Sequence, residues 1–404
     1  MTHPTALGAL LIVVLAAMAT IGCRPTGAAA PAIDLPPVDQ LPAVDALPDP
    51  FLMRDGTRVK TLADWSRRRE ELKAMILFYE FGQMPPSPGA PAAKELSTNE
   101  NETLGATEKH LLMTLGKDKK VEYHLDLTIP RGKSGRLPVI VTGDLGWGKV
   151  KEPIVKEIMR RGYILAEFNR EEVAPDKPDR SIGVFTLYPE CDWGAESAWA
   201  WGYHRTIDYL LTLSNVDAKH VAITGHSRGG KAALLAGATD ERIALTVPNG
   251  SGAGGAGLYR IRGAKSEGLD DVGKRFPFWF NPRFQGFVGQ VNRLPFDHHE
   301  IRALVAPRAQ LSTEALGDLW ANPEGTEQAY LAAREVYAFL GAKDTIGINF
   351  REGKHEQNLE DWTALLDFAD LQFFGKAAAR PFDKRAFPDS PRGFSWSAPP
   401  TPAK

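Results

Sequence analysis

The chain has 404 residues, 43% of them hydrophobic and 24% charged, with a formal net charge of −2. Those proportions fit a globular protein with a sizeable core and exclude a disordered or fibrous chain. The near-neutral balance exerts no overall pull on nucleic acid, and the two cysteines, Cys23 and Cys191, exclude a disulfide framework or a cysteine-rich metal site.

Residues 1–22 read as a signal peptide. The apolar run from Ala6 to Ala19 is too short to span a bilayer comfortably, and it leads into Thr20-Ile21-Gly22-Cys23. The pattern is that of a lipoprotein signal, in which Cys23 would be lipidated and would attach the protein to a membrane. Cys191 would then be left unpaired. The segment before the apolar run lacks Lys and Arg, so plain signal cleavage nearby is the alternative. Either way the reading is export, as a periplasmic or outer-membrane lipoprotein or to the outside of the cell. Residues 23–50, rich in Ala and Pro, read as an extended tether. The folded body is expected over 51–375, followed by a Pro-rich tail over 376–404 that wraps the surface.

Within the body, residues 61–82 alternate charged and apolar groups at helical spacing and end in Gly82. From about residue 108 the pattern turns to strands. Residues 120–129 alternate with period two up to Pro130, as an antiparallel strand does. Residues 138–142 and 163–166 are short unbroken apolar runs, suited to strands buried on both faces, with a helix over 150–161 between them. A helix over 199–213, strand 221–224, helix 231–238 and strand 243–247 follow. Strand 308–313, helix 327–340, strand 346–350 and helix 359–374 complete the series. This alternation predicts an α/β fold of the α/β-hydrolase type, a mostly parallel sheet with helices on both faces.

Gly225-His226-Ser227-Arg228-Gly229 fits the G-x-S-x-G nucleophile elbow, with a buried strand running in and a small-residue helix running out. Ser227 is the candidate nucleophile, placed at a helix head whose backbone N–H groups can face a developing oxyanion. The base should follow the last strands. Of nine histidines only His355, just past strand 346–350, does so. His298 and His299 break the chain order, though they could line the pocket. The acid should lie between the two, after the strand that begins near Arg308. Asp318, past Gly317, suits a loop carboxylate, and Glu314, nearer the strand end, is its competitor. Arg228 and Lys231 are cations at a helix N-terminus, where they oppose the macrodipole and want a reason. Trp147 lies in a glycine-rich loop after an early strand, where the second oxyanion donor of this fold often sits, and a simple glycine-rich turn is the alternative. The run Phe276-Pro277-Phe278-Trp279-Phe280 reads as core.

At these residues the chain resembles the glucuronoyl esterases of carbohydrate esterase family fifteen, in particular bacterial members. The resemblance rests on Thr224-Gly225-His226-Ser227-Arg228-Gly229-Gly230-Lys231 and on Ser251-Gly252-Ala253-Gly254-Gly255-Ala256. Asp297-His298-His299-Glu300 and Asp318-Leu319-Trp320-Ala321-Asn322-Pro323 add to it. It implies a carboxylic ester hydrolase of the 4-O-methyl-glucuronoyl methylesterase type. The implied substrate is glucuronoxylan or a lignin-carbohydrate ester, and the implied chemistry uses no metal and no cofactor. Carried over by position, Ser227 would be the nucleophile, His355 the base, and Arg228 would help hold the oxyanion. Lys231, Trp320 and Glu267 would contact the sugar. One departure is plain: many members carry their catalytic acid where this chain has Gly250, and others use an Asp in the place of Asp318. An esterase for acetyl groups on the same fold and a catalytically impaired glycan-binding homologue are the competing readings.

Overall fold

The computed structural model describes residues 34–116 and 120–401. Nine strands form one sheet: β1 (Ala92–Asn101), β2 (Ala106–Leu115), β3 (Val121–Pro130), β4 (Leu137–Thr142), β5 (Ile164–Phe168), β6 (Val216–His226), β7 (Leu245–Asn249), β8 (Ala309–Ala315) and β9 (Ile346–Arg351). Their order across the sheet is β1-β2-β3-β5-β4-β6-β7-β8-β9. The first three pairings, ending at β3 on β5, are antiparallel, and every pairing from β5 onward is parallel. This is the α/β-hydrolase arrangement expected from the alternation of strand and helix.

Nine helices accompany these strands among the described residues: α1 (Leu62–Ile76), α2 (Glu152–Arg161), α3 (Arg170–Val173), α4 (Ala195–Leu210), α5 (Arg228–Thr239), α6 (Leu269–Arg275), α7 (His298–Val305), α8 (Pro323–Phe339) and α9 (Leu359–Phe374). One core gathers Trp199, Tyr203, Ile223 and Leu234 with α4 and α5, and a second gathers Ile158, Leu245 and Leu365 with α2 and α9. The sheet is thus covered on both faces, which is why β4, β5 and β7 are buried at every residue.

The helix expected over 61–82 is α for its first part only. A capping box closes its start, with Thr61 accepting from the Asp64 N–H, and a π-turn, Leu77–Phe81, ends it at Gly82. The tether expectation needs correction over its second half. Leu41 and Leu47 are buried, the Tyr79 hydroxyl donates to the Pro36 carbonyl, and the His299 Nε2–H donates to the Pro48 carbonyl. Prolines there supply fixed backbone acceptors, so a stretch with little periodicity still docks on the body. In the C-terminal segment Phe382 and Phe394 are buried, and the Ile348 N–H donates to the Phe382 carbonyl. Cys191 is buried and is not unpaired. Cys23 and the proposed signal segment lie outside the described residues.

Candidate active site

The site forms at the C-terminal ends of β6, β8 and β9. Ser227 joins β6 to α5 with φ +56° and ψ −123°, a conformation that costs a non-glycine residue roughly 1–3 kcal/mol. The flanking glycines are steric necessities. A Cβ on Gly225 would stand 2.3 Å from the Gly229 carbonyl oxygen, and one on Gly229 would stand 2.2 Å from Asp144 Oδ1. The turn therefore exposes the serine at the helix head, where the first N–H groups of α5 have no intrahelical acceptor.

His355 comes from the loop after β9. Its Nε2 lies 2.9 Å from Ser227 Oγ, and its Nδ1 lies 2.5 Å from Asp318 Oδ2. Asp318 sits in the loop after β8, where the Asp318 N–H donates to the Ala315 carbonyl. Asp318 is buried while the imidazole side chain is 42% exposed, so the ring that the carboxylate holds stays open to solvent. The competitor, Glu314, is not at this hydrogen-bond chain. It is fully buried in β8, and both its carboxyl oxygens lack a partner. Burial, with the nearby Asp318 charge adding to it, pushes the Glu314 carboxyl well above the usual carboxylate range. Gly250 also belongs to this place. At φ +48°, a Cβ there would be 3.4 Å from Asp318 Oδ2 and 3.7 Å from His355 Nδ1. The position left bare by glycine faces the Asp318–His355 pair.

Arg228 is held in a cage. Its guanidinium pairs with Asp176, and its Cζ lies 4.9 Å from the Trp279 ring centroid, 5.4 Å from Phe276 and 5.6 Å from Trp147. Phe276 and Trp279 stack at 3.9 Å, and the Trp279 indole N–H donates to Asp176 Oδ1 at 2.8 Å. The aromatic run expected as plain core is thus split. Trp279 and Phe280 are buried, while Phe276 is a half-buried wall of the cage. Trp147 stands in the loop after β4, over the Arg170 guanidinium at 4.0 Å, and its indole N–H donates to Glu171. Asp144 ties that loop to the elbow by accepting the His226 N–H at 2.8 Å and pairing with Arg170.

Lys231 and Glu267 are brought together. Lys231 is only 3% exposed and donates to the Ser251 and Ala253 carbonyls and to Glu267 Oε1 at 2.8 Å. Its three donors are engaged within the protein, where they pin the glycine-rich loop. Trp320 is 43% exposed, and its carbonyl accepts the Glu267 N–H. The site therefore has an aromatic face and a cationic side around the serine.

A family model for fungal glucuronyl esterases matches residues 113–341. The carbohydrate esterase MZ0003 of an unknown prokaryotic organism is 32% identical over 391 residues, covering 82% of this chain and 90% of that protein. The 4-O-methyl-glucuronoyl methylesterase 1 of Wolfiporia cocos is 35% identical over 312 residues, covering 74% of this chain and 73% of the relative. A family fifteen glucuronoyl esterase from Caldicellulosiruptor kristjansonii has a solved structure that superposes with a TM-score of 0.77 at 33% identity, covering 90% of this chain and 99% of that one. The chain belongs to the glucuronoyl esterase family.

Several residues of this glucuronoyl esterase family site carried no sequence signal. Asp176 and Asp144 meet Arg228 and the elbow across more than fifty positions of chain. His226 packs on His355 with ring centroids 4.4 Å apart and bonds Asn249, whose amide donates to the Thr313 carbonyl. Burial, followed by the neighbouring His355, holds the His226 imidazole below its ordinary value. A neutral second ring beside the base adds no positive charge against it. His298 and His299, expected to be able to line the pocket, are both fully buried and do not. His298 lies against Glu80 and the Gly255 carbonyl, behind the glycine-rich loop. Among the described residues no group of three or more His, Cys, Asp or Glu side chains is placed to hold a metal ion.

Proposed function

We propose that the protein is an exported serine esterase that hydrolyses glucuronic acid esters, with glucuronoxylan or a lignin-carbohydrate ester as substrate. The observation that carries the reading is the hydrogen-bond chain from Ser227 Oγ through His355 to Asp318, set on a strained elbow. Ser227 Oγ attacks the ester carbonyl and passes its proton to His355 Nε2. Asp318 accepts the Nδ1–H, fixing the tautomer and stabilising the imidazolium. The carbonyl oxygen becomes negative beside the α5 N-terminus, where the caged Arg228 cation favours that charge. The tetrahedral species collapses, the C–O bond breaks, and His355 returns the proton to the departing alcohol. A water then repeats the sequence on the acyl-enzyme and releases glucuronate.

The substrate class is supported by the names of the relatives, which are 4-O-methyl-glucuronoyl methylesterases. It is also supported by a related structure from Sporotrichum thermophile in complex with methyl 4-O-methyl-beta-D-glucopyranuronate, 27% identical at a TM-score of 0.69. Lys231 holds the loop on which the sugar would rest, and Trp320 offers it an exposed ring. Attachment to a membrane through Cys23 belongs to the same reading. The test is turnover of benzyl glucuronate against 4-nitrophenyl acetate, with Ser227→Ala as control. We expect preference for the glucuronate, lost in the variant. Turnover of the acetate alone would move the protein to acetyl-ester chemistry.

A further inference from the structure

The mouth of the site carries a cation that the reaction above does not use. Arg275 is the last residue of α6, and its exposed side chain spans two walls of the site. Its Cζ lies 5.4 Å from the Trp320 ring centroid and 5.6 Å from that of Phe276. Phe276 belongs to the Arg228 cage, and Trp320 follows Asp318 and bonds Glu267 through its carbonyl. The guanidinium therefore stands across the opening between the oxyanion side and the sugar side.

The acids of its own helix do not pair with it. The two acids of α6 are taken by other cations, Asp271 by Arg262 at 3.4 Å and Asp270 by Lys274 at 3.8 Å. Among the described residues no carboxylate lies within ion-pair distance of Arg275. The helix C-terminus favours a cation there, which explains its stability but not its position between two rings. Rings at that distance orient a planar guanidinium, so its forked donors reach solvent with less freedom left to lose on binding. A carboxylate is the group that fork matches best.

We propose that Arg275 binds the free carboxylate of a second uronic acid on the glycan, beside the one whose ester is cleaved. The inference rests on the proposed function. The reacting uronate is an ester and carries no charge, so the anion for Arg275 must come from elsewhere on the same chain. Arg275 is then a specificity residue that favours esters embedded among unesterified uronates.

The experiment uses the full Ser227→Ala protein and two oligosaccharides of equal length, each bearing two uronates. In one, a single uronate is a methyl ester; in the other, both are. Calorimetry should give roughly fivefold tighter binding of the mono-ester at low salt, as for an exposed ion pair. That preference should fade at high salt and disappear in Ser227→Ala with Arg275→Gln, while both proteins remain folded with sharp melting transitions. Equal binding of the two ligands by the Arg275 protein would overturn the proposal. A preference that survives Arg275→Gln, or no binding of either ligand, would overturn it as well. Benzyl glucuronate turnover by the unsubstituted enzyme reports separately on the esterase reading itself.

Discussion

The rim of the sheet and the strand bodies beneath it use the same residue types to opposite ends. At the rim, Asp318 is a loop carboxylate engaged with an imidazole that is itself open to solvent. Four positions earlier, Glu314 sits in the strand body with both oxygens unpartnered, near the buried Arg302, which burial holds down to about 10. One carboxyl meets the imidazole of His355, and the other is pushed by burial toward its neutral form. The difference lies in the backbone: beyond Ala315 the chain leaves the ladder and can aim a side chain at the cleft. Perturbed titration alone points to Glu314, whereas the hydrogen bond to His355 is made by Asp318.

The sharpest way to break that comparison is Asp318→Asn. The amide keeps the shape but presents the wrong partner to the Nδ1–H, and kcat should fall roughly 10²–10⁴-fold. Steady-state assay of benzyl glucuronate reads the loss. A second test targets the buried pair behind the rim. Lys231→Met leaves Glu267 an uncompensated buried carboxylate and frees the Ser251–Ala253 carbonyls, which should cost about 3–5 kcal/mol of stability. Thermal melting checks it, and the addition of Glu267→Leu should restore much of the loss.

The rim was more legible in the sequence than what surrounds it. Ser227 announces itself because a strand, two obligate glycines and a helix must fall in fixed order around a strained residue. His355 and Asp318 were reachable because loops after late parallel strands are the places from which side chains meet that serine. Among the buried parallel strands, β4 was legible through its apolar run, whereas β8 is buried at every residue yet carries Gln310, Ser312, Thr313 and Glu314. By contrast β1, Ala92–Asn101, is exposed at nearly every position, so no alternation marks it. The Arg228 cage was hidden for another reason: Asp176 meets Arg228 and Trp279 only through tertiary packing, and an aromatic run reads alike whether it fills a core or walls a site. Residues 34–50 were misjudged because a few apolar anchors and fixed carbonyls suffice to dock a proline-rich segment.

Away from the rim, His299 offers a smaller, pH-dependent test. It is fully buried, donates to Pro48 and stacks on Trp396, so it joins the N- and C-terminal segments. Burial holds it down to about 4 from an ordinary value of 6.5. The unfolded chain therefore takes up the proton first, and stability is lost as pH falls from 6.5 toward 4, by about 3 kcal/mol in full. Glu300 on the same helix, pushed up to about 7 by burial, works in the opposite sense over the same window. The melting temperature of His299→Gln should therefore fall less steeply with acid than that of the parent, whatever the parent's absolute slope.

The smallest expected effect decides most about the rim. Glu314→Gln keeps the volume of the side chain and, if burial holds the carboxyl neutral, changes no charge in the strand. Its melting temperature should shift by the equivalent of less than about 1 kcal/mol, the range of substitutions that leave packing and charge intact. Turnover should stay within a few-fold of the parent, because neither oxygen of Glu314 touches the chain from Ser227 through His355 to Asp318. A dead Glu314→Gln beside an active Asp318→Asn would reverse the two carboxyls. The imidazole would then have to leave its 2.5 Å contact with Asp318 and find Glu314 inside the strand layer, a movement that would bury a ring now open to solvent and draw it away from Ser227 Oγ.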